Sequence, residues 1–199
     1  MNSYQIVEDF EKAVAEYSNC NYAISVDSCT NAIFLCLKYL NVSGTITIPK
    51  ETYPSVPCSI IHAGAKVNFI EHQWKKDKFY QLSPYPIYDA AHLFENKMFD
   101  LFKKNSFVCI SFSSTKPINI GKGGMILTNE EKAKNWFKKA RYCGRNEKPL
   151  LEDNFEVLGW NFYMTPEQAA RGMQLLYSRD LRHTIIPNYP DLSKFEIYK

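Results

Sequence analysis

The feature that most narrows the fold is an alternation, sustained from residue 3 to residue 128, of short apolar runs with segments of helical spacing. The runs Tyr22-Ala-Ile-Ser-Val26, Gly44-Thr-Ile-Thr-Ile-Pro49, Ala65-Lys-Val-Asn-Phe-Ile70, Ser106-Phe-Val-Cys-Ile110 and Met125-Ile-Leu-Thr128 are bounded by small, polar or glycine residues and are too short for helices, so they read as buried strands. Between them, Ser3 to Tyr17 places Ile6, Val7, Phe10, Ala13, Val14 and Tyr17 at helical spacing. Ala32 to Leu40 and Ser55 to Ala63 read as further helices. Strand and helix in alternation predict an α/β three-layer sandwich, a mostly parallel sheet with helices on both faces. Residues 71 to 84 show no clear period. After residue 128, Glu130 to Tyr142 is expected to be a helix with a solvated basic face, and Gly144 to Glu156 an irregular charged loop. Thr165, Pro166 and Gln168 then occupy the N-cap, first and third positions of a helix running to about Arg182, and the tail from Pro187 reads as irregular. No stretch of the 199 residues marks a linker, so one domain is expected over 1–199.

Composition removes several classes of function. A formal net charge of +3, with no basic run longer than two residues, gives no footprint for nucleic acid. No apolar stretch approaches membrane-spanning length, and Met-Asn-Ser-Tyr-Gln at the start is not a secretory pattern. The six cysteines form no Cys-x-x-Cys pair and the four histidines no ligand spacing. The expectation is a reducing, cytoplasmic setting with no metal.

Three places carry candidate chemistry. Lys116 lies in Ser111-Phe-Ser-Ser-Thr-Lys-Pro-Ile-Asn-Ile-Gly-Lys-Gly-Gly124, a polar loop between two apolar runs. A lysine there, among hydroxyls, is either a Schiff-base amine or a solvated loop residue. Asp27-Ser-Cys-Thr-Asn31 joins a strand directly to a helix start. The backbone N–H groups and dipole, with the Ser28 and Thr30 hydroxyls, suit a phosphate, and plain N-capping is the alternative. Asp89 ends a short apolar strand before Ala90, Ala91 and His92. It is either an acid at the ligand-binding rim of a sheet or the cap of a turn.

Taken in order, these pieces resemble the DegT/DnrJ family of sugar-nucleotide aminotransferases, which use pyridoxal 5′-phosphate (PLP) on the fold type I scaffold. The resemblance rests on Ser28-Cys29-Thr30, Thr52-Tyr53, Asp89-Ala-Ala-His92, Ser111-Phe112 with Thr115-Lys116, Gly121-Lys-Gly-Gly124, and Gly159-x-Asn161 with Gln168-Ala-Ala170. It implies that Lys116 holds PLP as an aldimine and moves the substrate proton, while Asp89 pairs with the pyridine nitrogen. Tyr53 would stack on the ring and His92 lie near its polar edge. Ser28, the Cys29 and Thr30 backbone and Ser111 would hold the phosphate. Asn161 would reach the phosphate of a neighbouring subunit, which makes the expected assembly a homodimer with shared sites.

The chain departs from the family pattern in three ways. Cys29 replaces a glycine in the phosphate turn, and Lys122 replaces a glutamate. The family also has more chain between Phe69 and Asp89, and continues past the Gln168 helix into a small C-terminal domain that helps close the site. The leading expectation is therefore a reduced PLP-dependent aminotransferase, passing an amino group from a donor such as glutamate to a keto group on a sugar nucleotide or related small molecule. The alternatives are another PLP reaction, decarboxylation or elimination, on a different substrate, and a non-catalytic dimeric interaction module.

Overall fold

The computed structural model describes residues 4–146, 148–178 and 186–198. Among these, seven strands and five α-helices follow one another in the order α1 (Gln5–Ser18), β1 (Tyr22–Val26), α2 (Cys29–Tyr39), β2 (Thr45–Pro49), α3 (Ser55–His62), β3 (Lys66–Ile70), β4 (Tyr80–Gln81), β5 (Ile87–Asp89), β6 (Phe107–Ser111), β7 (Gly124–Thr128), α4 (Glu131–Ala140) and α5 (Pro166–Ser178). The helix expected to reach Arg182 is described to Ser178, and its further extent lies outside the described residues. Thr165 N–H donates to Gln168 Oε1 at 2.9 Å and Gln168 N–H to Thr165 Oγ1 at 3.4 Å, the reciprocal cap read from the sequence.

The main sheet has the order β1-β7-β6-β5-β4. β5 and β6 are parallel, whereas β7 is antiparallel to both β6 and β1, and β4 is antiparallel to β5. The sheet is thus mixed in its pairing. β1, β5 and β6 nonetheless share one direction, so their carboxyl ends, Val26, Asp89 and Ser111, lie along one edge. β2 and β3 form a parallel pair, joined to the chain just after β4 by a bridge between Thr47 and Ser83.

Alternation along the strands separates two cores. Ile24, Val26, Cys109 and Ile126 pack with Leu35 of α2, Ile60 of α3 and Phe137 of α4. Ala23, Val108, Ile110, Met125 and Leu127 face the other way, onto Val7, Phe10 and Val14 of α1 and Leu175 of α5. Side chains on opposite faces at period two, covered on both sides by helices, give the three layers. Among the described residues no helix is long and apolar enough to cross a membrane.

A buried ion pair pins α1 to the sheet. Glu11 lies on the core-facing stripe of α1 and is 5% exposed; Arg141, just after α4, is equally hidden. The Arg141 guanidinium bonds the Glu11 carboxylate and donates to Ser25 O at 2.7 Å, while Ser25 N–H donates to Glu11 Oε1 at 2.8 Å. Removing one partner strands the other charge in a dry interior. Arg141→Ala is expected to cost about 3–5 kcal/mol in urea unfolding, and Arg141→Met combined with Glu11→Leu to recover most of it. A loss below about 1 kcal/mol in the single variant would show that the pair does not hold α1.

Candidate functional site

The shared strand edge opens into a cavity of about 470 Å³, a size suited to a small ligand or cofactor. Ser28, Cys29, Thr30, Tyr53, Asp89, His92, Ser111 and Lys116 all line it, so the structure brings eight of the nine expected site residues together. Asn161 is the ninth. It is exposed, its backbone is bridged to Tyr142, and it stands outside this cavity.

Asp89 ends β5 and is 7% exposed. Its Oδ2 accepts from the Tyr80 hydroxyl at 2.8 Å and its Oδ1 from Ala91 N–H at 3.0 Å. Tyr80 in turn shares a hydrogen bond with Thr52, so two side chains act in series to orient the carboxylate. Burial raises the Asp89 pKa, against the opposing pull of Ala91 N–H, Tyr80 and Lys116. Tyr80 carried no expected role, because aromatic side chains in a stretch without a period give no sign of which ring meets the acid.

Lys116 comes from the loop between β6 and β7, which closes through Phe112 N–H to Gly123 O and Ile120 N–H to Phe112 O, each at 3.0 Å. Its amine is buried rather than solvated. Nζ stands 2.7 Å from His92 Nε2. Burial lowers the Lys116 pKa, while Asp89 and Cys29 pull it back up. His92 is pushed down to about 3, first by burial and then by Lys116, so its imidazole is neutral.

Opposite these groups is the N-terminus of α2. Ser28 caps it, accepting from Asn31 N–H at 3.2 Å, so the capping reading holds, and the free N–H groups of the first turn face the cavity beside Thr30. Cys29 starts the helix with ordinary helical backbone, which is why a side chain is accepted at this turn. Gly124 must be glycine, because a Cβ there would run into the backbone of Ser28 and Cys29. Lys122 sits at the rim, 3.4 Å from Asp27 Oδ2, and offsets the acid next to the turn. Trp74, Pro187 and Tyr189 complete the wall, although neither the long connection after β3 nor the irregular tail gave a sequence signal for them.

Comparison with known proteins places this geometry. The model of the DegT/DnrJ/EryC1/StrS aminotransferase family matches residues 1–90 and 84–183. The UDP-4-amino-4,6-dideoxy-N-acetyl-β-L-altrosamine transaminase of Campylobacter jejuni is 24% identical over 216 residues, covering 87% of this chain and 57% of that protein. GDP-perosamine synthase of Caulobacter vibrioides is 21% identical, covering 86% of this chain and 56% of that protein. The chain therefore spans little more than half the length of these relatives. Among solved structures, ntda of Bacillus subtilis with bound cofactor PMP superposes with a TM-score of 0.73 at 17% identity, covering 88% of this chain and 48% of that one. Helicobacter pylori PseC, an aminotransferase involved in the biosynthesis of pseudoaminic acid, gives 0.69 at 17% identity, covering 87% and 58%.

The buried neutral His92 has a consequence for acid stability. Its folded pKa lies below the unfolded value, so the unfolded chain binds the extra proton and stability falls as pH drops below about 6.5. His92→Gln is expected to lose about 1–3 kcal/mol less than wild type between pH 6.5 and pH 4, read by urea unfolding at each pH. Parallel losses in the two proteins would place the acid sensitivity elsewhere.

Proposed function

The chain belongs to the DegT/DnrJ/EryC1/StrS aminotransferase family, and from that premise we propose that it is a PLP-dependent aminotransferase acting on a sugar nucleotide or related keto compound, with glutamate or a similar amino acid as donor. The observation that carries this reading is one cavity holding a buried lysine amine, a buried strand-end carboxylate and a helix N-terminus. A group with an aldehyde, a ring nitrogen and a phosphate meets a suitable partner at each of these points. When bound, PLP supplies an aldehyde for imine exchange and a conjugated ring that stabilises negative charge next to the reacting carbon.

The chain's own residues supply the rest. Lys116 Nζ, with its pKa lowered by burial, is a nucleophile and then a base able to take and return a proton at the substrate carbon. Asp89, fixed by Tyr80 and the Ala91 N–H, would face the ring nitrogen and favour its protonated form. The Cys29 and Thr30 N–H groups, with Ser28, Thr30 and Ser111 hydroxyls, would hold the phosphate. Tyr53 would cover the ring, and His92, beside Lys116, would meet its polar edge. The burial of Asp89, His92, Ser111 and Lys116 limits water around them and strengthens the polar contacts they make.

A homodimer with shared sites fits the outer surface. Leu150, Leu151, Phe155 and Leu158 are all exposed on one loop, with Leu151 at 100% and Leu158 at 92%, and the exposed Asn161 follows them. Exposed apolar side chains in this number on one loop favour association with a second subunit, and Asn161 would then reach across the contact. The six cysteines are all free, which supports a reducing, cytoplasmic location, and residues 1–199 would act as one PLP-binding domain.

Two experiments test the proposal. Wild type with added PLP is expected to give a visible absorption band that glutamate bleaches. Lys116→Ala should lack the band and transfer amine at least about 100-fold more slowly. A band indifferent to every amino acid would point to another PLP reaction, and no band in the folded wild type would end the enzyme reading. Leu151→Asp with Leu158→Asp is expected to turn a dimer into a monomer in sedimentation at micromolar protein. An unchanged dimer would move the interface elsewhere.

A further inference from the structure

The segment 186–198 lies beyond residue 183, where the family match ends; its Pro187 and Tyr189 line the cavity, and its later residues pack on the ends of β2 and β3. Leu192 N–H donates to Lys50 O at 2.9 Å, Asp191 pairs with Lys50 at 3.3 Å, and the Leu192 side chain is buried. Farther along, the Tyr198 ring lies 6.1 Å from Phe69 on β3. These contacts hold the segment in place after it has carried Tyr189 onto the cavity wall.

Tyr189 meets the site on three sides. Its ring lies 6.0 Å from Trp74 at an interplanar angle of 29° and 6.3 Å from Tyr53 at 81°. Its hydroxyl is 2.9 Å from His92 Nε2, the same nitrogen that stands 2.7 Å from Lys116 Nζ. Nζ also lies 3.3 Å from His92 Nδ1, so the amine stands beside the ring edge that carries both nitrogens. A neutral imidazole has one unprotonated nitrogen, and a hydroxyl donating to Nε2 takes its lone pair and leaves the ring proton on Nδ1, so neither nitrogen is then free to accept from the amine. The Tyr189 pKa is pushed up to about 12 by burial and by Asp89 and Tyr53, which leaves a neutral phenol able to donate. With the lone pair taken by that hydroxyl, the ammonium form of Lys116 loses its nearest acceptor. The other groups facing Lys116 are Asp89 at the end of β5 and Cys29 at the start of α2, both of which favour its charged form; Lys122 at the rim is engaged by Asp27.

We propose that Tyr189 is a positioning residue of this cavity: its hydroxyl occupies His92 Nε2 and its ring closes the wall, so that the Lys116 amine stands free to attack an aldehyde. The inference deepens the proposed function and rests on it, since the aldehyde in question is that of PLP. It assigns a role to a segment outside the matched family region.

The test uses the full chain without cofactor, so that it does not depend on PLP. Formaldehyde with cyanoborohydride methylates free amines, and the extent at Lys116 is read by peptide mass spectrometry across a pH series, with the exposed Lys76 as internal reference. Tyr189→Phe keeps the ring and removes the hydroxyl; Tyr189→Ala removes both. The expected result is that Lys116 labelling in Tyr189→Phe shifts to higher pH and slows about three- to tenfold at pH 7, a shift of up to about one pKa unit, with a larger effect in Tyr189→Ala and none at Lys76. Superimposable Lys116 profiles in wild type and Tyr189→Phe overturn the proposal, and this comparison decides even if Tyr189→Ala fails to fold. PLP absorbance of the wild type separates the two levels. A PLP band with unchanged labelling overturns the role of Tyr189 alone, whereas shifted labelling without a band supports that role and removes the aminotransferase reading.

Discussion

The site is governed by the cost of keeping Asp89 out of water. A carboxylate at the end of a buried strand is tolerated only where donors replace its hydration. Here those donors come from three separate parts of the chain. Tyr80 reaches it from β4, the Ala91 N–H from the turn after β5, and the favourable charge of Lys116 from the loop after β6. Tyr80 is itself held by Thr52, from the segment after β2. Each partner is useful only when the neighbouring strands are in register, so the acid ties the assembly of the sheet edge to the assembly of the site. The same burial that raises the Asp89 pKa lowers those of Lys116 and His92, so one dry space shifts all three groups toward their neutral forms.

Strand direction explains why these groups meet. Because β1, β5 and β6 run the same way, the turn after β1, the acid ending β5 and the serine ending β6 share one edge. β7 runs back between β1 and β6, with Gly124 opposite both Ser111 and Val26, and this returns the Lys116 loop to the edge it left. Gly124 also has no side chain to hold the α2 N-terminus away. The helix end, with its unpaired N–H groups, therefore lies close beside the sheet, where its positive end faces the cavity.

Much of this could be read from the sequence where local chemistry and long-range structure agree. The stretch from Tyr22 to Tyr39 changes from strand to helix at a hydroxyl cap, and Thr165 with Gln168 announces its helix by side chains that bond each other's backbone. The loop carrying Lys116 was legible as a polar link between two apolar runs, but its pattern suits a solvated lysine as well as the buried one found. The reversed pairing of β7 with β1 was not, since it joins segments about 100 positions apart and leaves no mark in either. Glu11 was hidden for a different reason: it falls within the helical stripe of α1, and its partner Arg141 lies 130 positions away. Tyr189 sits in a tail without periodicity. An irregular segment can place one side chain very well, but its spacing says nothing about which one.

The region between α4 and α5 shows how an outer loop is joined to this edge. Trp160 N–H donates to Ala140 O, Cys143 N–H to Trp160 O and Phe162 N–H to Arg141 O, so the loop that exposes Leu151 and Leu158 is closed at its neck by backbone bonds. Glycine is needed at that neck, because a Cβ on Gly144 would meet Val157 O and one on Gly159 would meet Gly144 N. The neck is anchored on one side by Arg141, buried with Glu11 and Ser25, and on the other by Asp27 N–H donating to Phe162 O at 2.7 Å. Asp27 immediately precedes the Ser28 cap. The exposed apolar loop is thus connected, through two short backbone links and one buried ion pair, to the turn that faces the cavity. A subunit bound to that loop would rest on a rigid neck, and its position would be fixed relative to the α2 N-terminus. That is the mechanical requirement for a residue such as Asn161 to serve a neighbouring site.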